Sequence, residues 1–363
     1  MQPLEDQHWD PAQFRDDVSS IVDEALQQER AKLDAISTDL DVLMAALTGL
    51  MSGGKRLRPA FCYWGWRALA REEDLAEHDA GMLRAATSLE FLQACALIHD
   101  DVMDGSDTRR GLPAAHRAFQ FEHERAKLTG NSAMFGVGAA ILLGDLCLAW
   151  ADQLLFESGL PAAALLRAKP IFDVMRTELM AGQYLDLLEG ARADSSLPRA
   201  RTVVRYKSAK YTIERPLHLG AALAGASAQA LADYSTFGLA LGEAFQLRDD
   251  VLGVFGDPSQ TGKPAGDDLR EGKRTVMIAL VFERASAQQA AVLQEHLGNP
   301  ALTAEAIAQV QLVLEATGAL AATEALIADG TTVALQSLDS MDINDQGRAA
   351  LIALVDAATR RAF

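Results

Sequence analysis

Aromatic side chains are scarce in this sequence: Phe, Trp and Tyr together make up 6% of its 363 residues. Long stretches also lack proline and any apolar–polar alternation of period two, which argues against a chain built from strands. Basic residues are in deficit, 33 Lys and Arg against 50 Asp and Glu, for a formal charge of −17. That balance argues against general affinity for nucleic acid or anionic lipid. There are three cysteines, Cys62, Cys95 and Cys147, odd in number and set in apolar surroundings. They read as core thiols of a reducing, cytoplasmic compartment, not as a disulfide framework. Met1 to Asp10 has acidic residues and no apolar core, so no secretory signal is expected there. The best membrane candidate, Leu128 to Leu143, contains Thr129, Asn131 and Ser132, with Asp145 close behind. A buried helix accounts for it better than a membrane span.

What is abundant is Ala and Leu, within a composition that is 49% hydrophobic and 23% charged. Such a chain has a sizeable core, and its commonest residues lose little on entering a helix. Periodicity predicts helices over Phe14–Ala35, from Pro59 past Leu69, and over Gly81–Asp104, Met134–Phe156 and Ala163–Leu188. Further helices are expected over Ile213–Leu223, Ala230–Val254, Val276–Arg284 and Ala304–Glu315, and from Ala319 onward. The fold class is therefore all-α, a single large helical bundle over residues 11–363 after a flexible N-terminus at 1–10. Loops Gly105–His116 and Gly256–Gly272 are the expected mobile parts.

Two long apolar helices end in acidic clusters. Asp100 and Asp104 stand one helical turn apart on one face, with Asp101 beside them, and Asp249-Asp250 close the other helix. Carboxylates this close repel unless a cation lies between them. Mg2+ suits such a cluster because it takes one or two carboxylates and completes its shell with water and diphosphate oxygens. A diphosphate also needs cations, and basic residues flank both clusters. Gly53-Gly54-Lys55-Arg56-Leu57-Arg58-Pro59 sets three of them between a glycine pair and a helix start. Arg109-Arg110 follow the first cluster, and Lys263 and Lys273 follow the second. Lys207, Ser208 and Lys210 lie between the two clusters. The Gly-Gly-Lys run lacks Walker spacing and no strand precedes it.

From about residue 50 to 285 the chain resembles the trans-prenyl diphosphate synthases. The resemblance is carried by GGKRLRP, LEFLQACALIHDDVMDGSDTRRG, YKSAKYT and FQLRDDVLGVFGDPSQTGKPAGDDLREGKRT, in that order. It implies a bundle of the isoprenoid synthase type with a central active-site cavity, working as a homodimer. Three Mg2+ ions are implied, with Mn2+ as a substitute: two on Asp100 and Asp104 and one on Asp249, supported by Asp101 and Asp250. Arg109, Lys207 and Lys263 would contact the allylic diphosphate. Lys55, Arg58, Gln93 and Arg110 would hold isopentenyl diphosphate. Gln246 and Ser208 would line the reacting carbons, and Lys273 would help close the site. The second motif departs from the family pattern by carrying Gly253 where many members have a third Asp. On the sequence alone, Gly253→Asp should change little.

The implied reaction ionises an allylic diphosphate (dimethylallyl, geranyl or farnesyl), and the double bond of isopentenyl diphosphate attacks the cation. One helical turn is about 5.4 Å, close to one extended isoprene unit. Cys95 and Ala96 therefore lie one turn below Asp100, and Phe91 and Leu92 about one turn further, as candidate chain-length positions. The absence of an aromatic at Cys95 and Ala96 leaves the tunnel open to geranylgeranyl diphosphate. Alternatives are a longer polyprenyl product, a farnesyl product, a class I terpene cyclase, or an inactive partner subunit. The paired Asp249-Asp250 and the Lys55–Arg58 segment speak against the cyclase.

Overall fold

The structure is a computed structural model that describes residues 9–192, 194–256 and 266–359. Lys263 and the first eight residues lie outside the described residues. Helices account for nearly all regular structure, as the periodicity predicts. In chain order they are α1 (Pro11–Asp34), α2 (Asp41–Met51), α3 (Leu57–Arg67), α4 (Glu72–Asp104), α5 (Ala115–Arg125) and α6 (Ser132–Phe156). Then come α7 (Ala162–Gly190), α8 (Leu197–Val203), a π-helical stretch over Val204–Glu214, α9 (Arg215–Ala224) and α10 (Ala228–Phe255). The last are α11 (Asp267–Glu271), α12 (Val276–Arg284), α13 (Ala287–His296), α14 (Ala304–Ala316), α15 (Ala319–Asp339) and α16 (Asp345–Thr359). Among the described residues the one sheet is a hairpin, β1 (Thr108–Arg109) with β2 (Leu112–Pro113).

Contacts gather the chain into two compact units. The first comprises Met1–Lys169, Leu219–Ala226 and Ile343–Leu351; the second comprises Pro170–His218, Ser227–Asp342 and Ile352–Phe363. In the first, α4 packs along α6 and also against α3, α5 and α1. α4 begins nine residues before the expected Gly81, because Glu72, Glu73 and Asp74 favour the first turn of a helix electrostatically. Much of the scarce aromatic content is concentrated here. Trp9 meets Trp64 edge-on at 6.0 Å, and Phe14 meets Tyr63 at 5.4 Å. Asp10 caps α1 through the amides of Ala12 and Gln13, and Pro11 opens it.

In the second unit α10 is flanked by α15 and by the π-helical stretch. Val251, Val254, Leu269, Met277, Val310, Leu314 and Ile327 are buried in one apolar cluster there. Arg248 donates to both oxygens of Glu324, at 2.6 and 2.7 Å, and so ties the end of α10 to α15.

α6 is long and apolar enough to cross a membrane by length and composition alone, and only 28% of its most apolar window is buried. Its inner side packs on α4 and α5, while Met134, Phe135, Ile141 and Leu142 stay exposed. The three cysteines are buried and free. Burial pushes the Cys95 thiol up to about 12, with Asp145 adding to the effect, which makes it inert.

Candidate active site

The first acidic motif is the C-terminal turn of α4, which Gly105 ends in the left-handed conformation. Asp100 and Asp104 are partly buried, and Asp101 is 2% exposed. A carboxylate so enclosed needs a counter-charge, and Arg109 supplies it. Its Nε donates to Asp101 Oδ1 at 2.9 Å, its Nη2 also bonds Asp101, and Nη2 stands 3.7 Å from Asp100.

Arg109 is presented by the hairpin, so the loop expected after the motif is ordered at its centre. Arg110 and Gly111 both have positive φ, 53° and 76°, the backbone that a two-residue hairpin turn needs. The turn sends Arg110 to a different task. Its Nη1 donates to the carbonyls of Leu50 at 2.7 Å and Gly53 at 2.8 Å, clasping the Gly53–Pro59 loop. Burial holds the Arg110 guanidinium below its usual range, and it remains charged.

The three cations of that loop divide by role. Lys55 is exposed and Arg58 is partly buried. Arg56 is 4% exposed, takes a left-handed conformation before α3, pairs with Glu90 and donates to the Met51 carbonyl at 2.8 Å. It therefore holds the loop in shape. The spacing in the sequence could not distinguish it from its neighbours.

Below the motif, the chain-length candidates fall on two faces of α4. Phe91 is fully buried and meets Trp150 of α6 edge-on at 6.4 Å. Cys95 lies 3.8 Å from the His99 ring, on that same side. Ala96 is one turn before Asp100 and, with Gln93, shares the face of Asp100 by helical geometry; both are partly buried. Leu92 is buried between these faces. A separate cavity of about 480 Å³, lined by Trp66, His78, Arg167 and Gly225 among others, lies at the opposite end of α4.

In the second unit, Lys207 and Ser208 belong to the π-helical stretch, a geometry rare in proteins and frequent at functional sites. Glycines let this stretch approach its neighbours closely. A Cβ on Gly182 of α7 would lie 2.4 Å from the Lys207 amide nitrogen, and one on Gly242 of α10 would lie 2.6 Å from Ala209 Cα. A charged network then fixes it. Lys210 reaches Glu178 at 3.1 Å and Glu214 at 3.2 Å, and Arg215 grips Glu178 at 2.6 and 2.8 Å. Burial alone would raise the Glu178 carboxyl, but bonds from Arg215 and Lys210 outweigh it and hold it low. Lys207 itself pairs with Asp186 of α7 at 2.6 Å. Asp186 carries no motif signal and was missed in the sequence.

The second acidic motif ends α10. Asp250 is 5% exposed and accepts a bond from Gln246 at 2.8 Å. Burial pushes its carboxyl up to about 8, with the nearby Asp268 and Asp249 adding repulsion. Asp249 is partly buried. Asp268, on α11, was also missed in the sequence. Lys273 Nζ lies 3.3 Å from Asp268 and 2.7 Å from Glu271.

Among the described residues, no three His, Cys, Asp or Glu side chains converge as a ready-made metal cage. The donors are carboxylates offered one or two at a time, and Asp250 is crowded by two others. That chemistry fits Mg2+, which keeps most of its shell for water and phosphate oxygens and relieves the repulsion.

Comparison with known proteins then identifies the lineage. The polyprenyl synthetase family profile matches residues 41–314. The chain belongs to that family. It is 32% identical over 273 residues to geranylgeranyl diphosphate synthase of Sulfolobus acidocaldarius, covering 74% of this chain and 76% of that one. Geranylfarnesyl diphosphate synthase of Aeropyrum pernix matches at 32% over 261 residues, 71% of this chain and 76% of its own. Geranylgeranyl pyrophosphate synthase of Corynebacterium glutamicum, solved with isoprenyl diphosphate and magnesium, superposes with a TM-score of 0.93 at 42% identity. That match covers 98% of this polyprenyl synthetase and all of the other chain.

Proposed function

We propose that this polyprenyl synthetase condenses isopentenyl diphosphate with an allylic diphosphate to make geranylgeranyl diphosphate, using Mg2+. The class of enzyme, a trans-prenyl diphosphate synthase, follows from its family. The observation that carries the product assignment is the likeness to the geranylgeranyl synthase of C. glutamicum over 98% of the chain.

When bound, Mg2+ supplies positive charge that stabilises the departing diphosphate. Asp100, Asp104 and Asp249 would hold it, with Asp101 and Asp250 in support. Arg109 and Lys207 rest on carboxylates, Asp101 and Asp186, that are about as anionic as a phosphate oxygen. Each would exchange that partner for the allylic diphosphate, so their positions are prepared before substrate arrives. Lys263 would join them. Lys55, Arg58, Gln93 and Arg110 would hold isopentenyl diphosphate, with Arg110 also keeping the loop that presents Lys55 and Arg58. Gln246, besides steadying Asp250, and Ser208 would face the reacting carbons, and Lys273 would help close the site.

The growing chain would run along α4 away from Asp100. Ala96 on the Asp100 face leaves the first turn open. Leu92, buried between that face and the Phe91 side, offers a deeper floor, while Phe91 itself packs away on Trp150. A longer product is the second reading, favoured by equal identity to the geranylfarnesyl synthase of A. pernix. Chromatography of radiolabelled products from farnesyl and isopentenyl diphosphates tests both. A twenty-carbon product is expected, and Ala96→Phe should shorten it. Synthesis of nothing beyond farnesyl diphosphate would overturn the open-tunnel reading.

A homodimer is also proposed. The exposed Met134, Phe135, Ile141 and Leu142 of α6 form an apolar face of the kind that self-association buries.

A further inference from the structure

The cavity at the N-terminal end of α4 is a space that the condensation reaction does not use. Its volume is about 480 Å³. That is many times the roughly 30 Å³ share of one water, and it falls within the range of about 300–1,000 Å³ usual for small-molecule sites. All of its lining residues belong to the first unit. His78, in its wall, and Asp100 are separated by 22 residues of one continuous helix. At 1.5 Å per residue that is about 33 Å. A twenty-carbon chain, four isoprene units of about one helical turn each, reaches roughly 22 Å. A prenyl chain of that length held at the first acidic motif therefore ends short of this cavity.

The floor is apolar, formed by the buried Trp66, Leu160 and Leu223. The wall carries two arginines whose charges are used differently. Arg71 is spent on its own helix, donating to both oxygens of Asp74 at 2.8 and 3.0 Å and reaching Glu73 at 2.6 Å. Arg167 of α7 donates instead to the carbonyls of Ala222 and Leu223, each at 3.1 Å, at the end of α9. Both acceptors are neutral, so the guanidinium is held in place with its charge unpaired among the described residues. Gly225, left-handed at φ 77°, turns the chain beside it, and a Cβ there would touch Arg167 Nη2 at 3.5 Å. A packing void needs no fixed cation at its wall. An anion with an apolar body uses both the cation and the floor.

We infer that this cavity binds a small amphipathic anion, a short apolar chain or ring bearing one phosphate or carboxylate, with its head on Arg167 and its body over Trp66. The site is distinct from the one that holds the two diphosphates, and the inference does not depend on which product that site makes. Its occupant would bridge the start of α4, the start of α7 and the end of α9, and so should stabilise the fold. A prenyl monophosphate and an aromatic acid share the required chemistry.

The test is calorimetric titration of the full chain in EDTA with geranyl monophosphate and, separately, with 1-naphthoate. At least one should bind saturably at one site and raise Tm, and the tighter of the two identifies the source. Inorganic phosphate, which lacks the apolar body, should bind at least about tenfold more weakly. Ala163 lines the cavity, is exposed, and stands one turn before Arg167 on α7. In Ala163→Glu the new carboxylate would pair with Arg167 and repel the ligand, weakening binding by about tenfold or more. An acid in the first turn of a helix is favourable, so the unliganded Tm should not fall. Ala163→Gln, of the same size and uncharged, should bind within about threefold of the unsubstituted chain, and both variants should keep normal turnover. Absence of saturable binding by either anion overturns the inference. So does equal affinity in Ala163→Glu and the unsubstituted chain, which would place the ligand elsewhere, or equal loss in Ala163→Gln, which would show that charge plays no part.

Discussion

Asp250 carries a proton that the unfolded chain would give up several pH units earlier. Its carboxyl is pushed up to about 8 in the fold, against an ordinary value of 3.8, chiefly by burial and then by Asp268 and Asp249. A raised acid favours the folded state fully below the unfolded value, and that contribution is lost as pH rises toward 8. In EDTA, Asp250→Asn should therefore melt higher than the unsubstituted chain at pH 8, with the gain shrinking as pH falls toward 4. For a chain of this size each kcal/mol moves Tm by roughly 2–4 °C or less, which circular dichroism resolves. A difference independent of pH would show that Asp250 does not titrate this way. Side chains in contiguous motifs, such as Asp100 or Arg109, could be proposed from spacing alone. Asp186 could not, because it acquires meaning only from Lys207, a residue distant in sequence. Arg56 stands beside Lys55 and Arg58 in the same run, but the resemblance assigns it no substrate role, and its burial against Glu90 gives it a structural one.

The elements most legible in the sequence were the long apolar helices, whose repeating pattern extends over several turns. α2, α5, α8, α11 and α13 were not anticipated; they are short, and a few turns give periodicity little to average over. The π-helical stretch illustrates a second limit. A slight widening of the helix leaves the apolar pattern of Val204–Glu214 almost unchanged, whereas the glycines that receive it lie on α7 and α10. Gly182→Ala tests that packing. The added carbon would meet the Lys207 amide nitrogen and Cα and the Tyr206 carbonyl carbon, all backbone, which cannot swing aside as a side-chain end can. A loss of about 1–3 kcal/mol is expected from such overpacking, read by urea denaturation, with weaker allylic diphosphate binding. Unchanged stability would show that α7 and the π-helical stretch separate at little cost.

At the scale of the molecule, the charge of −17 and the exposed apolar side of α6 pull in opposite directions. Net charge keeps chains apart, while the apolar side favours pairing. Sedimentation velocity at moderate ionic strength should give a dimer, and Leu142→Glu should shift it toward monomer. A monomeric sedimentation coefficient for the unsubstituted chain would exclude the homodimer. The expectation that the apolar stretch near residue 140 is mainly a buried helix was half met: α6 packs on α4 and α5 and leaves its other side open. Composition measures how apolar a helix is and carries no information about how many of its faces have neighbours.

The two-residue turn after the first motif has an evolutionary corollary. Arg109 and Arg110 are joined by one peptide bond, yet one neutralises Asp101 and the other clasps the loop at Leu50 and Gly53. Both directions depend on the same pair of positive φ angles, at Arg110 and Gly111. Selection cannot adjust one contact through this backbone without disturbing the other. Replacements at Gly111 should thus be pleiotropic, and the two contacts should be gained and lost together among descendants of this chain.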